Sequence, residues 1–298
     1  MVRVDGVYKN FDGFEALSGL SFGVEKGSIY GLVGPNGAGK STIIRHITGV
    51  YKQDSGEVTI DGKPVFENSE VKRRIAYIPD DIFYFSSAST SEMMRFYRGI
   101  YPGFSMERYS KLHEVFPFDD KRPIRRFSKG QQKQIAFRLA MSMCPDLLVL
   151  DEPVDGLDPV MRRQVWSFVM GDVAERGTTV LVSSHNLREL EDVCDHIGIL
   201  SQGKLLLERA LSDLQASVVK IQLALQEGAE LLTDGLDILH TSGSGRLQTL
   251  ILRDPENTAE SLLAASSPVF IDRVPLTLEE IFIYELGGED YAVKDIIL

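Results

Sequence analysis

The sequence has few of the residues that build metal centres and disulfide frameworks, with only 2 cysteines and 5 histidines among 298 residues. Cys144 and Cys194 follow no metal-ligand or redox spacing, and we interpret both as small buried apolar residues. No apolar run approaches the length of about 20 residues that a helix needs to cross a bilayer. The N-terminus has no apolar stretch of the kind found in a secretory signal. These absences predict a cytosolic chain that acts at a membrane only through a partner.

Basic residues are also in deficit, because 32 Lys and Arg face 43 Asp and Glu and give a formal net charge of −11. A general nucleic-acid binder needs a basic face to neutralise phosphates. The charge therefore argues against a nucleic-acid partner. With 43% hydrophobic and 25% charged residues, the composition is that of a globular protein. The length allows one large domain or two smaller ones.

Apolar runs and turn signals predict an α/β fold. Apolar runs typical of strands inside a parallel sheet occur at residues 28–33, 147–150, 179–182 and 197–200. Near the N-terminus, the Asp61-Gly62 pair predicts a hairpin. From about residue 82 to residue 145 the pattern changes to helices rich in aromatic residues, Met and Arg. We therefore expect an α/β sheet with a helical insertion.

The last part of the sequence is predicted to form a small α/β accessory domain. We place it at residues 216–298, after a first domain of residues 1–215. Residues 218–223 and 246–252 alternate like half-buried strands. Two helices are also predicted, an amphipathic one between residues 256 and 265 and a final one that starts from a Thr277–Glu280 capping box and ends near Leu286.

A glycine-rich loop follows the first apolar run. It fits the phosphate-loop template of Gly, four residues and Gly-Lys-Ser with Gly34, Pro35, Asn36, Gly37, Ala38, Gly39, Lys40 and Ser41. The glycines let successive backbone N–H groups point at one anion, and the helix that follows adds its positive end. Lys40 can reach the β- and γ-phosphates, and the Ser41 hydroxyl can hold Mg²⁺. The alternative is a glycine-rich structural turn, which the flanking strand and helix disfavour.

Two acidic residues and a histidine follow the ends of buried strands. Asp151 and Glu152 come directly after residues 147–150, and His185 follows the next strand. Side chains in such places lie at the ligand-binding edge of a parallel sheet. We expect Asp151 to orient Mg²⁺, Glu152 to accept a proton from the attacking water and His185 to bond the γ-phosphate. The ordinary alternatives are a solvated acidic turn and a surface histidine.

A second anion-binding helix start is predicted at Ser128. This residue is a good N-cap, and Gly130 permits close approach of a ligand. One nucleotide cannot use both helix starts equally unless the two face each other.

On these motifs the sequence resembles the ATP-binding subunits of ABC transporters. The resemblance covers about residues 1–210, and its motifs follow the family's order: Walker A at 34–42, the signature at 127–132, Walker B at 147–152, the D-loop at 156–158 and the switch histidine His185. It implies a P-loop NTPase of the ABC ATPase type, with a RecA-like core sheet, an N-terminal antiparallel β subdomain and a helical subdomain at about 82–145. It also implies hydrolysis of ATP with Mg²⁺.

The resemblance implies roles for particular residues. Lys40, Glu152 and His185 would be catalytic, and Ser41, Asp151 and Asp80 would hold the metal. The implied nucleotide-binding residues are Phe11 on the adenine, Gly34, Pro35, Asn36, Gly37, Ala38, Gly39, Lys40, Ser41 and Thr42 of Walker A, Asp80, and Ser128, Gly130, Gln131 and Asp158. Ser128, Gly130 and Gln131 would cap ATP held by another chain, so a second ATP-binding subunit, identical or different, is expected.

Within the family, the C-terminal domain and residues 278–282 resemble the ATPases of ABC-2 type exporters. This implies a transmembrane permease as partner and a place on the cytoplasmic face of the membrane, with export as the work done. A soluble ABC ATPase that acts on ribosomes or DNA is the alternative within the family. A small-molecule phosphotransferase is another, but it leaves the signature motif unexplained.

Two positions depart from the family pattern, and two segments have two interpretations. Lys129 stands where many members have Gly, and Asp80 stands where the coupling Gln usually lies, so Asp80 adds repulsion next to Glu152. The aromatic and Met side chains of residues 82–97 are either the core of the helical insertion or a groove for a partner's short helix. The basic run at 121–126 is either a solvated face or an aid to triphosphate capture.

Overall fold

A computed structural model describes residues 1–226, 229, 231–254 and 257–286 of the chain. The predicted helix start at 256 and the residues after 286 lie outside these ranges. The chain divides into two compact units. The first comprises Met1–His185 and Val193–Glu208, and the second comprises Asn186–Asp192 and the chain from Arg209 onward. The domain limits drawn from the sequence remain a prediction.

The first unit contains ten strands and six helices in its described part. The strands are β1 Val2–Phe11, β2 Phe14–Val24, β3 Ile29–Val33, β4 Ser55–Ile60, β5 Lys63–Pro64, β6 Ile75–Ile78, β7 Leu147–Asp151, β8 Thr179–Ser184, β9 His196–Ser201 and β10 Lys204–Ala210, the last of which ends in the second unit. The helices are α1 Lys40–Ile47, α2 Ser69–Lys72, α3 Thr90–Ile100, α4 Met106–Val115, α5 Lys129–Ser142 and α6 Pro159–Arg176.

The larger sheet has the strand order β10-β9-β3-β8-β7-β6, and the five strands from β9 to β6 run parallel. Every residue of β3, β7 and β8 is buried. This double-sided burial explains why these strands appear as continuous apolar runs without alternation. Because parallel strands end at the same edge, the loops after β3, β6, β7 and β8 meet there. The predicted α/β fold is confirmed.

A smaller antiparallel sheet with the order β2-β1-β4-β5 completes the N-terminal part. The predicted hairpin joins β4 to β5, which pair Thr59 with Pro64 and Ile60 with Lys63. Its two turn residues, Asp61 and Gly62, have φ angles of 49° and 74°. Positive φ at both positions is what a two-residue hairpin turn demands, and Asp-Gly is a favoured pair for it.

Helices α3, α4 and α5 form the helical insertion around a cluster of buried residues that includes Met93, Tyr109, Phe127 and Leu139. The Arg138 guanidinium is buried inside it at 1% exposure. It donates to both oxygens of Asp120 at 2.7 and 3.0 Å and lies 3.8 Å from the centre of the Tyr109 ring. The aspartate and the ring face together stabilise a charge that would be costly to bury alone.

The second unit contains its own four-stranded antiparallel sheet, with the order β12-β13-β11-β14. Its described elements are α7 Leu211–Ser217, β11 Val218–Leu225, β12 Asp237–Ser244, β13 Leu247–Arg253, α8 Ala259–Leu263, β14 Pro268–Val274 and α9 Leu278–Leu286. Three short 3-10 helices also occur in the described chain, at Ile124–Arg126, Leu187–Glu189 and Ala264–Ser266.

The capping box predicted for the final helix is present. The Thr277 N–H donates to the Glu280 carboxylate at 3.0 Å, and the Glu280 N–H donates to the Thr277 hydroxyl at 3.2 Å. Strands β12 and β14 have no predicted counterpart. All eight β12 positions are exposed or half-buried, without the alternation that identifies a strand from its sequence. In the described ranges, no helix combines the length and the apolar character required to cross a bilayer.

The buried pair in the helical insertion generates a stability prediction. Asp120→Ala leaves the Arg138 guanidinium buried without its carboxylate, so we expect a loss of about 3 kcal/mol in the free energy of unfolding. Trp166, the single tryptophan of the chain, is buried in α6 and reports unfolding of the first unit in urea by fluorescence. Glu107→Ala, which breaks the exposed Glu107–Lys111 pair, is the control. Equal midpoints for the two variants would contradict the assignment.

Candidate nucleotide site

The loop between β3 and α1 forms one wall of a cavity. Gly37 and Gly39 have φ angles of 83° and 108°, a region that favours glycine over every other residue. The cavity is lined by Phe14, Ala16, Pro35, Asn36, Gly37, Ala38, Gly39, Lys40, Ser41, Thr42, Asp80 and Glu152. Gly34 does not line it, but a Cβ at Gly34 would collide with the Leu200 carbonyl oxygen. Eight consecutive predicted residues, 35–42, therefore line the cavity together with two acidic side chains.

Lys40 is the cation of this cavity. Its side chain is 6% exposed, and its Nζ donates to the carbonyl of Gly34 at 2.6 Å and to that of Pro35 at 3.3 Å. The same Nζ lies 3.5 Å from Glu152 Oε1. The loop thus curls around its own lysine, which stands at the start of α1. A phosphate here would meet an ammonium and the positive end of a helix.

The two acidic residues after β7 differ in their surroundings. Asp151 is the last residue of β7 and is 3% exposed, and its Oδ1 accepts a hydrogen bond of 2.5 Å from the Ser183 hydroxyl. Burial, together with the negative charge of Asp151, raises the pKa of Tyr77 on the adjacent strand β6 to about 12. Asp151 is therefore buried and bonded to Ser183 outside the lining of the cavity, whereas Glu152 lines it.

Glu152 adopts a left-handed backbone conformation with φ of 46°, which is costly for a residue other than glycine. Its N–H donates to the Ser183 carbonyl at 3.2 Å. Its Oε2 lies 2.8 Å from His185 Nδ1 and also accepts the His185 N–H at 3.3 Å. Lys40, Glu152 and His185, which are far apart in the sequence, thus form one hydrogen-bonded and ion-paired row at the sheet edge.

The fit of Mg²⁺ rests on the same edge. Among the described residues, no group of three or more His, Cys, Asp and Glu side chains is suited to hold a metal ion. The Ser41 hydroxyl and the Asp80 carboxylate line the cavity, and Asp151 lies behind it. This small donor set suits an ion whose other ligands are water molecules and phosphate oxygens, which is how proteins usually bind Mg²⁺.

Lys133 is a residue of this site that the sequence reasoning missed. It stands on α5, its side chain is 8% exposed, and its Nζ donates to Asp80 Oδ1 at 3.3 Å and to the Glu152 carbonyl at 2.7 Å. A lysine in the first turns of a helix is ordinarily solvated. The weak signal in the sequence is Asp80 itself, a charge that needs a partner.

The predicted second helix start lies outside the lining of the cavity. Ser128 and Gln131 form a capping box, in which each side chain accepts the backbone N–H of the other at 3.2 and 3.0 Å. A Cβ at Gly130 would lie 3.3 Å from the Gly156 carbonyl, so the helix start packs against the segment that precedes α6. Asp158 caps α6 through hydrogen bonds of 3.0 Å to the N–H groups of Val160 and Met161.

The aromatic residue expected on the adenine is also outside the lining. The Phe11 ring packs edge-on against Tyr51, with 5.4 Å between the ring centres, and Lys9 Nζ lies 5.3 Å from its centre. Phe14, across the β1–β2 turn, lines the cavity and is 64% exposed. The stacking role of Phe11 therefore stays a prediction, and Phe14 is a second aromatic candidate.

The aromatic stretch after Asp80 separates into two sets. Tyr84, Met93, Met94 and Tyr97 belong to the core of the helical insertion, and burial raises the pKa of the Tyr84 hydroxyl well above its ordinary value. Phe83, Phe85 and Phe96 are exposed by 89%, 61% and 44%. Both interpretations of residues 82–97 thus have side chains to support them. In the basic run, the Arg122 guanidinium lies 4.5 Å from the centre of the Phe127 ring.

Comparison with known proteins agrees with this geometry. The ABC transporter family model matches residues 17–155. The ABC transporter ATP-binding protein YtrB of Bacillus subtilis (strain 168) is 31% identical over 289 residues, which cover 97% of this chain and 99% of YtrB. The bacitracin transport ATP-binding protein BcrA of Bacillus licheniformis is 28% identical over 312 residues, which cover 97% of this chain and 98% of BcrA.

A solved structure gives the same result. A structure described as the ATP-binding subunit of an ABC transporter is similar with a TM-score of 0.67 and 28% identity, and the similarity covers 72% of this chain and 92% of that one. YtrB and BcrA match this chain over nearly their whole length, and the solved cassette has the same fold. The chain therefore belongs to the ABC transporter ATP-binding proteins, and it is an ATPase that binds ATP.

Proposed function

We propose that this chain powers export by a transmembrane permease and that ATP closes two such cassettes head to tail. The observation that carries the proposal is the separation of two half-sites in one chain. Lys40, Glu152 and His185 meet at the phosphate loop, whereas the Ser128 helix start lies outside that cavity. ATP held by one cassette would be capped by Ser128, Gly130 and Gln131 of its mate. Hydrolysis would then reopen the pair.

The residues at the sheet edge support these steps. Glu152, whose carboxylate is bonded to His185, would accept a proton from the attacking water. Lys40 would release the Gly34 and Pro35 carbonyls and bind phosphate oxygens, which offer a stronger charge-assisted bond. The Ser41 hydroxyl and the Asp151 carboxylate would hold Mg²⁺, with Asp80 close by. Bound Mg²⁺ supplies neutralisation of the charge that builds up on the transferred phosphoryl group.

The membrane partner is expected to contact the exposed aromatic set, Phe83, Phe85 and Phe96. The rings of Phe85 and Phe96 pack at right angles with 5.4 Å between their centres, and they stay exposed. A cluster of exposed aromatics on a globular surface indicates a binding site for an apolar segment. Phe83 and Phe85 follow closely in the chain after Asp80, which lines the nucleotide cavity. This surface would place the chain on the cytoplasmic face of the membrane.

Glu152→Gln is the first test. The amide cannot accept the proton, so we expect ATPase activity to fall by at least about 100-fold while ATP remains bound and holds two chains together. Light scattering after gel filtration with Mg²⁺ and ATP should give double the mass of one chain. Lys40→Ala in the same background should return the protein to the mass of one chain. A Glu152→Gln chain that binds ATP yet stays single would count against the composite site.

Phe85→Ala tests the membrane surface. Removal of an exposed ring leaves the fold intact, and we expect the chain to lose its association with membrane vesicles that contain its permease. The measurement is the fraction of protein that sediments with these vesicles, alongside ATP binding by the soluble protein. Phe270→Ala removes a ring of similar exposure, 45%, from the second unit and is the matched control. Equal loss of sedimentation in both variants would argue against the aromatic set as the docking surface.

A further inference from the structure

The Lys133 ammonium joins three segments of the first unit. The lysine is on α5, and its two acceptors lie after two different strands, Asp80 after β6 and Glu152 after β7. Its side chain is 8% exposed, whereas that of Asp80 is 52% exposed. A cation buried to this degree is destabilising unless it is paired and hydrogen-bonded. The buried ammonium therefore requires both contacts, and these contacts hold the Asp80 carboxylate and the Glu152 carbonyl in place.

The charges around the cavity need such a cation. Asp80 and Glu152 line the cavity and the buried Asp151 precedes Glu152 in the chain, while Lys40 is the cation of the lining. A triphosphate brings several further negative charges to the same edge. Carboxylates close to one another and to phosphate repel, and each costs binding energy unless a cation lies near. Lys133 approaches from outside the nucleotide cavity, through a neighbouring cavity that Asp80 also lines.

The second contact of Lys133 acts on the backbone of Glu152. This residue holds a left-handed conformation with φ of 46°. Its N–H donates to the Ser183 carbonyl at 3.2 Å, and its carbonyl accepts the Lys133 bond at 2.7 Å. A costly backbone conformation persists where the surroundings fix it from more than one side. The lysine therefore helps to aim the Glu152 carboxylate at Lys40 and His185.

We propose that Lys133 is a positioning residue of the ATPase site, which neutralises Asp80 and anchors the Glu152 backbone in the geometry used for hydrolysis. The proposal rests on the proposed function only in that Glu152 acts in hydrolysis. It gives Asp80 a partner at the cavity wall, because the carboxylate and the lysine form a pair. It also couples the signature helix α5 to both acidic loops of the same chain.

The test is a set of variants at the two positions of the pair. Lys133→Gln keeps a hydrogen-bond donor for the Glu152 carbonyl but leaves Asp80 without its cation, and we expect kcat to fall by at least about 10-fold. Asp80→Gln combined with Lys133→Gln removes both charges and should regain at least about 5-fold over Lys133→Gln alone. Lys133→Arg, which keeps the charge, should stay within about 3-fold of the wild type.

Lys133→Met separates the two roles of the lysine. Methionine cannot donate to the Glu152 carbonyl, so Asp80→Gln should fail to rescue Lys133→Met although it rescues Lys133→Gln. Lys111→Gln removes a 70%-exposed lysine from α4 and is the matched control for loss of one positive charge. A Lys133→Gln variant as active as Lys111→Gln would overturn the proposal. Independent, multiplicative effects of Asp80→Gln and Lys133→Gln in the double variant would overturn it as well.

Unfolding of the nucleotide-free protein gives a readout that needs no activity. The urea midpoint, followed by Trp166 fluorescence, should fall for Lys133→Gln and recover in the Asp80→Gln/Lys133→Gln double variant. A midpoint that the second substitution does not restore would contradict the pairing even if Lys133→Gln folds poorly. A Glu152→Gln chain that keeps full ATPase activity would instead contradict the proposed role of Glu152, and the unfolding comparison would still decide the pairing.

Discussion

The parallel pairing of β7 with β6 on one side and β8 on the other is the constraint on which the site depends. Leu150 pairs with Ile78 and with Val182, and Asp151 pairs with Ser183. This register brings together the loops that carry Asp80, Glu152 and His185, which are separated by dozens of residues in the chain. The strands are buried on both faces, so a shift of register would expose apolar side chains and misplace the acidic residues together.

Within that frame, the site is organised by opposite charges at short range. Lys40 and Lys133 approach Glu152 from two sides, the first toward its carboxylate and the second toward its carbonyl. Each lysine is almost fully buried, and each also bonds other groups of the cavity wall. The low dielectric of such a place strengthens these pairs and makes a missing partner costly. These ion pairs hold the acidic side chains of the sheet edge close together without bound phosphate.

The phosphate loop and the Ser128 helix start differ in how their polar groups are used. At the phosphate loop, Lys40 is bonded to backbone carbonyls that a phosphate can replace. At the second helix start, the side chains of Ser128 and Gln131 each accept a hydrogen bond from the backbone N–H of the other residue. This capping box satisfies two N–H groups at the start of α5. In the second unit, the final helix is held by its own capping box and by the Arg188–Glu279 bond of 2.8 Å.

The sequence by itself determined the features that depend on local rules. The phosphate loop, the Asp61-Gly62 hairpin and the Thr277–Glu280 capping box follow from backbone conformations and hydrogen bonds that few residue types can satisfy. The continuous apolar runs determined four of the parallel strands, β3, β7, β8 and β9, and with them the edge where Asp151, Glu152 and His185 are expected, whereas β6 has no predicted counterpart. Strands β12 and β14 were not predicted, because their sequences lack a strand pattern. They are strands because they pair with neighbours in the sheet.

Only the tertiary structure decided which side chains meet. It pairs Lys133 with Asp80. It places Phe14 in the cavity lining, whereas Phe11 packs on Tyr51. It also divides the side chains of residues 82–97 between the core and the surface. These outcomes depend on where α5 crosses the sheet edge and on which face of each helix is covered. The spacing of residues along one segment does not predict the position of α5 or the covered helix faces, because a contact between distant segments depends on the packing of both.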